Sequence, residues 1–223
     1  MDSADFIGYK DDFEDEKIFE SYAELANENL DADTKEEELP SSMKPIVRNL
    51  LVSAEYGVEF DLFSIAQKVR NAEYNPRRIQ AAVIRIDEPH ATALIYKVGK
   101  MVIGGTKTRD VALLAARKFG KIMKRLGYKV HLQNFQIISM VATASCNFRV
   151  GLESIASQSR QFTKYNPEVF AGLIFKIPQP KLTMLIFASG KIIFTGAKTL
   201  EELDQAAQWI MPYLQLNEKT TVM

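Results

Sequence analysis

"TALIYKVGKMVIGGTK" at Thr92–Lys107 and "TMLIFASGKIIFTGAK" at Thr183–Lys198 are nearly one statement made twice, 91 positions apart. Seven of the sixteen residues are identical, and Tyr96 standing against Phe187 is a further near-match. The same offset relates "YNP" at Tyr74–Pro76 to Tyr165–Pro167, and "IRIDEP" ending at Pro89 to "FKIPQP" ending at Pro180. Several landmarks at one spacing mean duplication. Two long copies are too few and too long for a solenoid, so the pattern predicts two pseudo-symmetric halves.

Each half reads as strand, helix, three strands, helix. In the first, "IVRNLLVSA" (46–54) is strand-like and "DLFSIAQKVR" (61–70) is a short amphipathic helix. "AAVIRI" (81–86), "ATALIYKV" (91–98) and "KMVIGG" (100–105) follow as strands, with Pro89 and Gly99 at the turns. From Thr108 to Gly127 the spacing places Val111, Leu114, Ala115, Phe119, Ile122 and Leu126 on one helical face, capped by Thr108 and stopped by Gly127. In the second half Thr199 and Glu202 have capping-box spacing. The fold class expected is α+β: two repeats forming a curved antiparallel-sheet saddle with helices on its convex side. The strands are apolar on both faces, yet two helices per half cover only one. The other face is therefore expected to expose Val, Ile, Leu and Phe over a concave surface, the mark of a binding site.

Charge is divided along the chain. Its net is zero over 223 residues, but residues 1–40 carry 15 acids and 3 bases (net −12), and the remainder 25 bases and 13 acids (net +12). A basic body suggests a polyanionic partner. The segment 1–40 alternates acids with Phe and Tyr, a pattern of disordered interaction segments. It is expected to be a disordered tail that, in one reading, folds back as a mimic of that polyanionic partner, acids on the basic rim and aromatics on the apolar floor. The N-terminal stretch lacks the apolar core of a signal peptide and no apolar run reaches membrane-spanning length, so no membrane partner is expected. Cys146 is the sole cysteine, which fits a reducing compartment. There is no GxGxxG, P-loop, HExxH or Cys/His cluster, and His90 and His131 are isolated. Neither an enzyme, a cofactor nor a metal is expected.

An apolar floor flanked by cations suits the minor groove of AT-rich DNA between its phosphate ridges. Lys100 and Lys107, with Lys191 and Lys198, recur in register around the strand after each glycine turn. The segments "NAEYNPRR", "TALIYKVGKM", "LAARKFGKIMKRLGY", "GLIFKI" and "LIFASGKIIFTGAK" resemble the core of the TATA-box-binding protein family, in order, from about Ile46 to Leu214. The resemblance implies repeats over 41–136 and 137–223 and a nuclear initiation factor that binds and kinks promoter DNA, a mode of binding for which this family is the standard example. It implies wedges at Ile79 and Tyr96 in one half and at Phe170 and Phe187 in the other. Central contacts fall on Asn49, Ser139 and Thr195. Ser139 stands where the family has Asn, and Gly104 where it has Thr. Apolar floor positions fall on Leu51, Leu94, Val102, Val141, Leu185 and Ile193, and phosphate contacts on Arg78, Arg85 and Lys176 with the four lysines. By the same resemblance TFIIA, TFIIB and TFIID-type associated factors are partners, with TFIIA or an inhibitory partner on the basic helix run Arg117, Lys118, Lys121, Lys124 and Arg125 and TFIIB at the loop residue Glu168. A related factor that serves mainly as an assembly scaffold is the alternative the departures suggest. Self-association through the apolar face without DNA is a further expectation.

Overall fold

The computed structural model describes residues 43–219. Expectations for the segment 1–40 lie outside the described residues. The chain order is β1 (Ile46–Glu55), α1 (Leu62–Lys68), β2 (Ala72–Tyr74), β3 (Ala82–Ile86), β4 (Ala91–Ile95), β5 (Lys100–Thr106) and α2 (Arg109–Arg125). It then repeats as β6 (Phe135–Ser145), α3 (Leu152–Gln158), β7 (Thr163–Lys164), β8 (Leu173–Ile177), β9 (Leu182–Ile186), β10 (Lys191–Ala197) and α4 (Leu200–Leu216). The ten strands form one antiparallel sheet in the order β2-β3-β4-β5-β1-β6-β10-β9-β8-β7. Outward from the central β1–β6 pair the two sides read alike, so the duplication in the sequence is a two-fold relation in the sheet. Register shifts near Asn49, at Leu50–Val52 and at Thr195–Ala197 are bulges, which bend and twist the strands that carry them.

Alternation decides which side chains meet the helices. In β3 and β8 the buried positions are the first, third and fifth. Under one half lie Val52, Ala54, Ile84, Ala93, Ile95, Met101 and Ile103; under the other, Met140, Ala142, Phe175, Met184, Ile192 and Phe194. Ile137 packs against both clusters, and Leu50 of β1 belongs to the second half's cluster. The halves thus share a seam rather than merely adjoining.

Two short strands, β2 and β7, were not anticipated. Runs of three and two residues carry no periodicity to read. The buried stripe of α2 also differs from the expected one. It is Ala112, Ala115, Ala116, Phe119, Gly120 and Met123, while Val111 and Leu114 are 38% and 57% exposed. The cause is Tyr56. Its hydroxyl donates to the Ala116 carbonyl oxygen at 2.7 Å, and a Cβ on Gly120 would stand 3.0 Å from its ring. Small residues turn toward the sheet to seat that ring, and two larger apolar ones turn outward.

The capping expectations hold. Thr108 accepts from Val111 N–H, and Thr199 with Glu202 forms a complete capping box at the start of α4.

Candidate nucleic-acid interface

The residues that alternate with the core occupy the face opposite the helices. Cross-strand pairs run along it: Val83 with Leu94 and Leu94 with Val102 on one side, Ile193 with Leu185 and Leu185 with Ile174 on the other. At the centre Leu51 pairs with Ser139 and Asn49 with Val141, and Thr195 lies against Val141 from the next strand. The expected floor residues therefore share one face.

That face is less open than expected in the first half and at the centre. Leu51, Leu94 and Val102 are 3–4% exposed and Val141 7%, whereas Leu185 and Ile193 are half-buried. Side chains on the inner side of a curved sheet converge and shield one another. Leu51 also settles toward Gly104, its Cδ2 within 2.9 Å of where a Cβ on that glycine would stand.

At the outer end of the second half, Phe170 and Phe187 meet edge to face, ring centroids 5.9 Å apart and planes at 69°. Phe170 is 39% exposed. Gly172 makes the pair possible: a Cβ there would stand 2.6 Å from Phe170 Cε1 and 3.2 Å from Phe187 Cε1. In the first half Ile79 and Tyr96 are half-buried, and the position matching Gly172 is the fully buried Ala81. Burial raises the ionisation of the Tyr96 hydroxyl above its ordinary range.

The repeated "YNP" has a structural reason. Asn75 Oδ1 accepts from Arg77 N–H at 3.1 Å, and Asn166 Oδ1 from Glu168 N–H at 3.2 Å. The carbonyls of these asparagines accept from Ile79 N–H at 3.0 Å and Phe170 N–H at 2.9 Å. Each asparagine builds a turn that sets the position of Ile79 or Phe170.

Cations border this face. Lys107, Lys176, Lys191 and Lys198 are exposed and Lys100 half-buried. Arg78 is exposed. Arg85 donates to Glu73 Oε1 at 3.0 Å in a solvent-exposed pair, the kind worth little and readily exchanged for a phosphate. Sequence reasoning missed Arg48, whose Nε donates to Thr143 Oγ1 at 3.0 Å across the central strand pair. Nothing in the repeat pointed to it, since it bridges the halves rather than recurring in them.

Sequence reasoning also missed how the central polar residues are held. Asn49 Oδ1 accepts from Gly105 N–H at 2.8 Å, and Ser139 Oγ from Gly196 N–H at 3.2 Å. Both glycines have positive φ, +95° and +102°, the left-handed backbone that turns a bulge N–H inward. The other end of the Asn49 amide, Nδ2, is buried without a protein partner.

On the helix side Arg117, Lys121, Lys124 and Arg125 are exposed. Lys118 is half-buried and its Nζ donates to the Glu88 carbonyl oxygen, so it is tied down rather than projecting with the others. Glu168 is exposed in the turn that presents Phe170. Among the described residues no group of three or more His, Cys, Asp or Glu side chains is placed to hold a metal, and no helix is long and apolar enough to cross a membrane.

A family model described as "Transcription factor TFIID (or TATA-binding protein, TBP)" matches residues 44–126 and again 134–216. The TATA-box-binding protein of Acanthamoeba castellanii is 40% identical over 195 residues, 87% of this chain and 76% of that one. That of Dictyostelium discoideum is 42% identical over 184 residues, 82% of this chain and 90% of that one. The solved structure of Methanococcus jannaschii TBP superposes with a TM-score of 0.68 at 32% identity, covering 78% of this chain and 99% of that one.

Proposed function

This chain belongs to the TATA-binding protein family of DNA-binding transcription factors, which are not enzymes, and from that premise we propose that it is a general initiation factor gripping the minor groove of AT-rich promoter DNA. The observation that carries the reading is the Phe170–Phe187 pair, half-open at the end of an apolar face and kept clear by Gly172. Such an edge-to-face pair is an unstacking wedge, and Ile79 with Tyr96 is its smaller counterpart. Inserted at both ends of the site, the wedges unstack base steps and bend the duplex toward the major groove. The apolar floor excludes water and reads the absence of the guanine amino group. Lys100, Lys107, Lys176, Lys191 and Lys198, with Arg78 and Arg85, neutralise the phosphate tracks.

The repeats 41–136 and 137–223 each supply half of this grip. The bent complex, in the nucleus, then nucleates assembly: TFIIA or another factor on the exposed cations of α2, TFIIB at the Glu168 turn, TFIID-type factors on the helices. The test is binding and bending of a TATAAA duplex against a GC-substituted one across a salt series. Tight, bent, AT-selective binding that weakens with salt is expected. Weak, unselective binding with partner contacts retained would make the chain an assembly scaffold.

A further inference from the structure

The centre of the groove is not symmetric, and the difference assigns a specificity role that rests on the DNA-binding reading above. In the first half the Gly105 N–H holds Asn49 Oδ1 at 2.8 Å and so fixes the amide's orientation. Nδ2, which can only donate, is the end left over, on a residue 6% exposed and with no protein partner. Beside it Gly104 supplies no side chain, and Leu51 leans a methyl toward the space. This half holds one fixed donor in an apolar surround, shielded from solvent in the unbound chain.

The second half inverts both features. Ser139 Oγ accepts from Gly196 N–H at 3.2 Å, which leaves it a hydrogen to donate and a lone pair to accept with. Thr195 adds a second hydroxyl where the first half has Gly104, and Val141 is shorter than Leu51 at the matching position. In the minor groove A·T and T·A pairs show only acceptors, and a G·C pair adds the guanine N2 amino donor. The free end of the Asn49 amide, which can only donate because the oxygen is turned to Gly105 N–H, meets that amino group donor to donor. A hydroxyl can accept from it, and serine, shorter than asparagine, leaves it room.

We propose that Ser139, with Thr195, makes the second-half side of the central base pairs tolerant of a minor-groove amino group, while Asn49 holds the first-half side to A·T or T·A. The chain reads its site unequally and takes its orientation on DNA from that inequality.

The probe is 2-aminoadenine, which adds the minor-groove amino group to an A·T-type pair. The full chain is titrated with a TATA-like duplex carrying it in the central pairs on one side, on the other side, or on both. Because the pseudo-symmetric chain can sit either way round, one-sided substitution is expected to weaken binding by no more than about threefold, and two-sided substitution by about tenfold or more. In Ser139→Asn, one-sided substitution also costs about tenfold or more. That variant keeps an acceptor for Gly196 N–H, as Asn49 does for Gly105, and so supports the fold. In Asn49→Ser the two-sided penalty shrinks to about threefold relative to that variant's own binding of the unsubstituted duplex. Equal penalties for one-sided and two-sided duplexes with the unaltered chain, no penalty for either, or a one-sided penalty unmoved by Ser139→Asn would each overturn the proposal. Failure of the unaltered chain to bind the unsubstituted duplex would overturn the DNA-binding reading and this proposal with it.

Discussion

Gly172 has no side chain, and that is its contribution. An added methyl would stand 2.6 Å from Phe170 Cε1, so the ring must move. The ring edge is the free end of a half-exposed side chain, which makes the movement cheap for the fold and disruptive for the pairing with Phe187. Gly172→Ala is expected to shift stability by less than about 1 kcal/mol while reducing the bend, measured by energy transfer between dyes at the duplex ends. An unaltered bend would show that the ring's resting position is immaterial. Tyr56 is the contrary case, a buried hydroxyl serving only the fold. Removing the bond to Ala116 in Tyr56→Phe is expected to cost about 1 kcal/mol in urea unfolding at neutral pH. Burial drives this hydroxyl well above its ordinary ionisation near 10.0, so folding favours its neutral form. Its contribution is complete below pH about 10, where the unfolded chain still keeps the proton, and is lost as pH climbs beyond. The fall in stability between pH about 9.5 and 11 should be shallower in Tyr56→Phe than in the unaltered chain. Neither residue could be ranked from sequence. Gly172 faces Ala81 in the repeat, a mismatch readable only once Phe170 is seen above it, and Tyr56 reveals nothing until it meets Gly120.

At the scale of elements, local rules governed the ends and tertiary contact governed the faces. Thr108 and Thr199 were legible as caps because capping is a contact between residues three apart. Thr199→Ala removes one side of a reciprocal box and is expected to cost about 1 kcal/mol, seen as a lower urea midpoint with the slope unchanged. A cost near zero would mean that packing alone holds the first turn of α4. The face of α2 was misplaced for the opposite reason. Hydrophobicity ranked Val111 and Leu114 above Ala112 and Ala116, but the sheet needed small residues around the Tyr56 ring. Periodicity finds a helix reliably and its angle of rotation poorly when the buried stripe is alanine. The bulges were invisible in the same way, since Gly105 and Gly196 read as turn residues until their N–H groups are seen on Asn49 and Ser139.

Across the whole molecule the duplication was the most legible feature, because similarity at one offset requires no knowledge of contacts. It set the flanking lysines in pairs, while the expected wedge and floor positions came from the resemblance to the family. What it could not supply was whatever joins the halves, such as Ile137 in both cores or Arg48 reaching Thr143, since a seam has no second copy. The matched cations make a prediction at this scale. If Lys100 and Lys191 each neutralise a phosphate, replacing both with alanine should lower the slope of log affinity against log salt by about 1.8, at about 0.9 per contact. An unchanged slope would place these lysines away from the backbone. The sheet also has to stop somewhere, and it stops at β2 and β7, strands of three and two residues. A long flat border would offer a ladder of unspent amide and carbonyl groups on which further chains could polymerise. Borders this brief give a growing fibre almost nothing to copy, so a sheet with an apolar face opposite its helices is protected from lateral stacking along its rims.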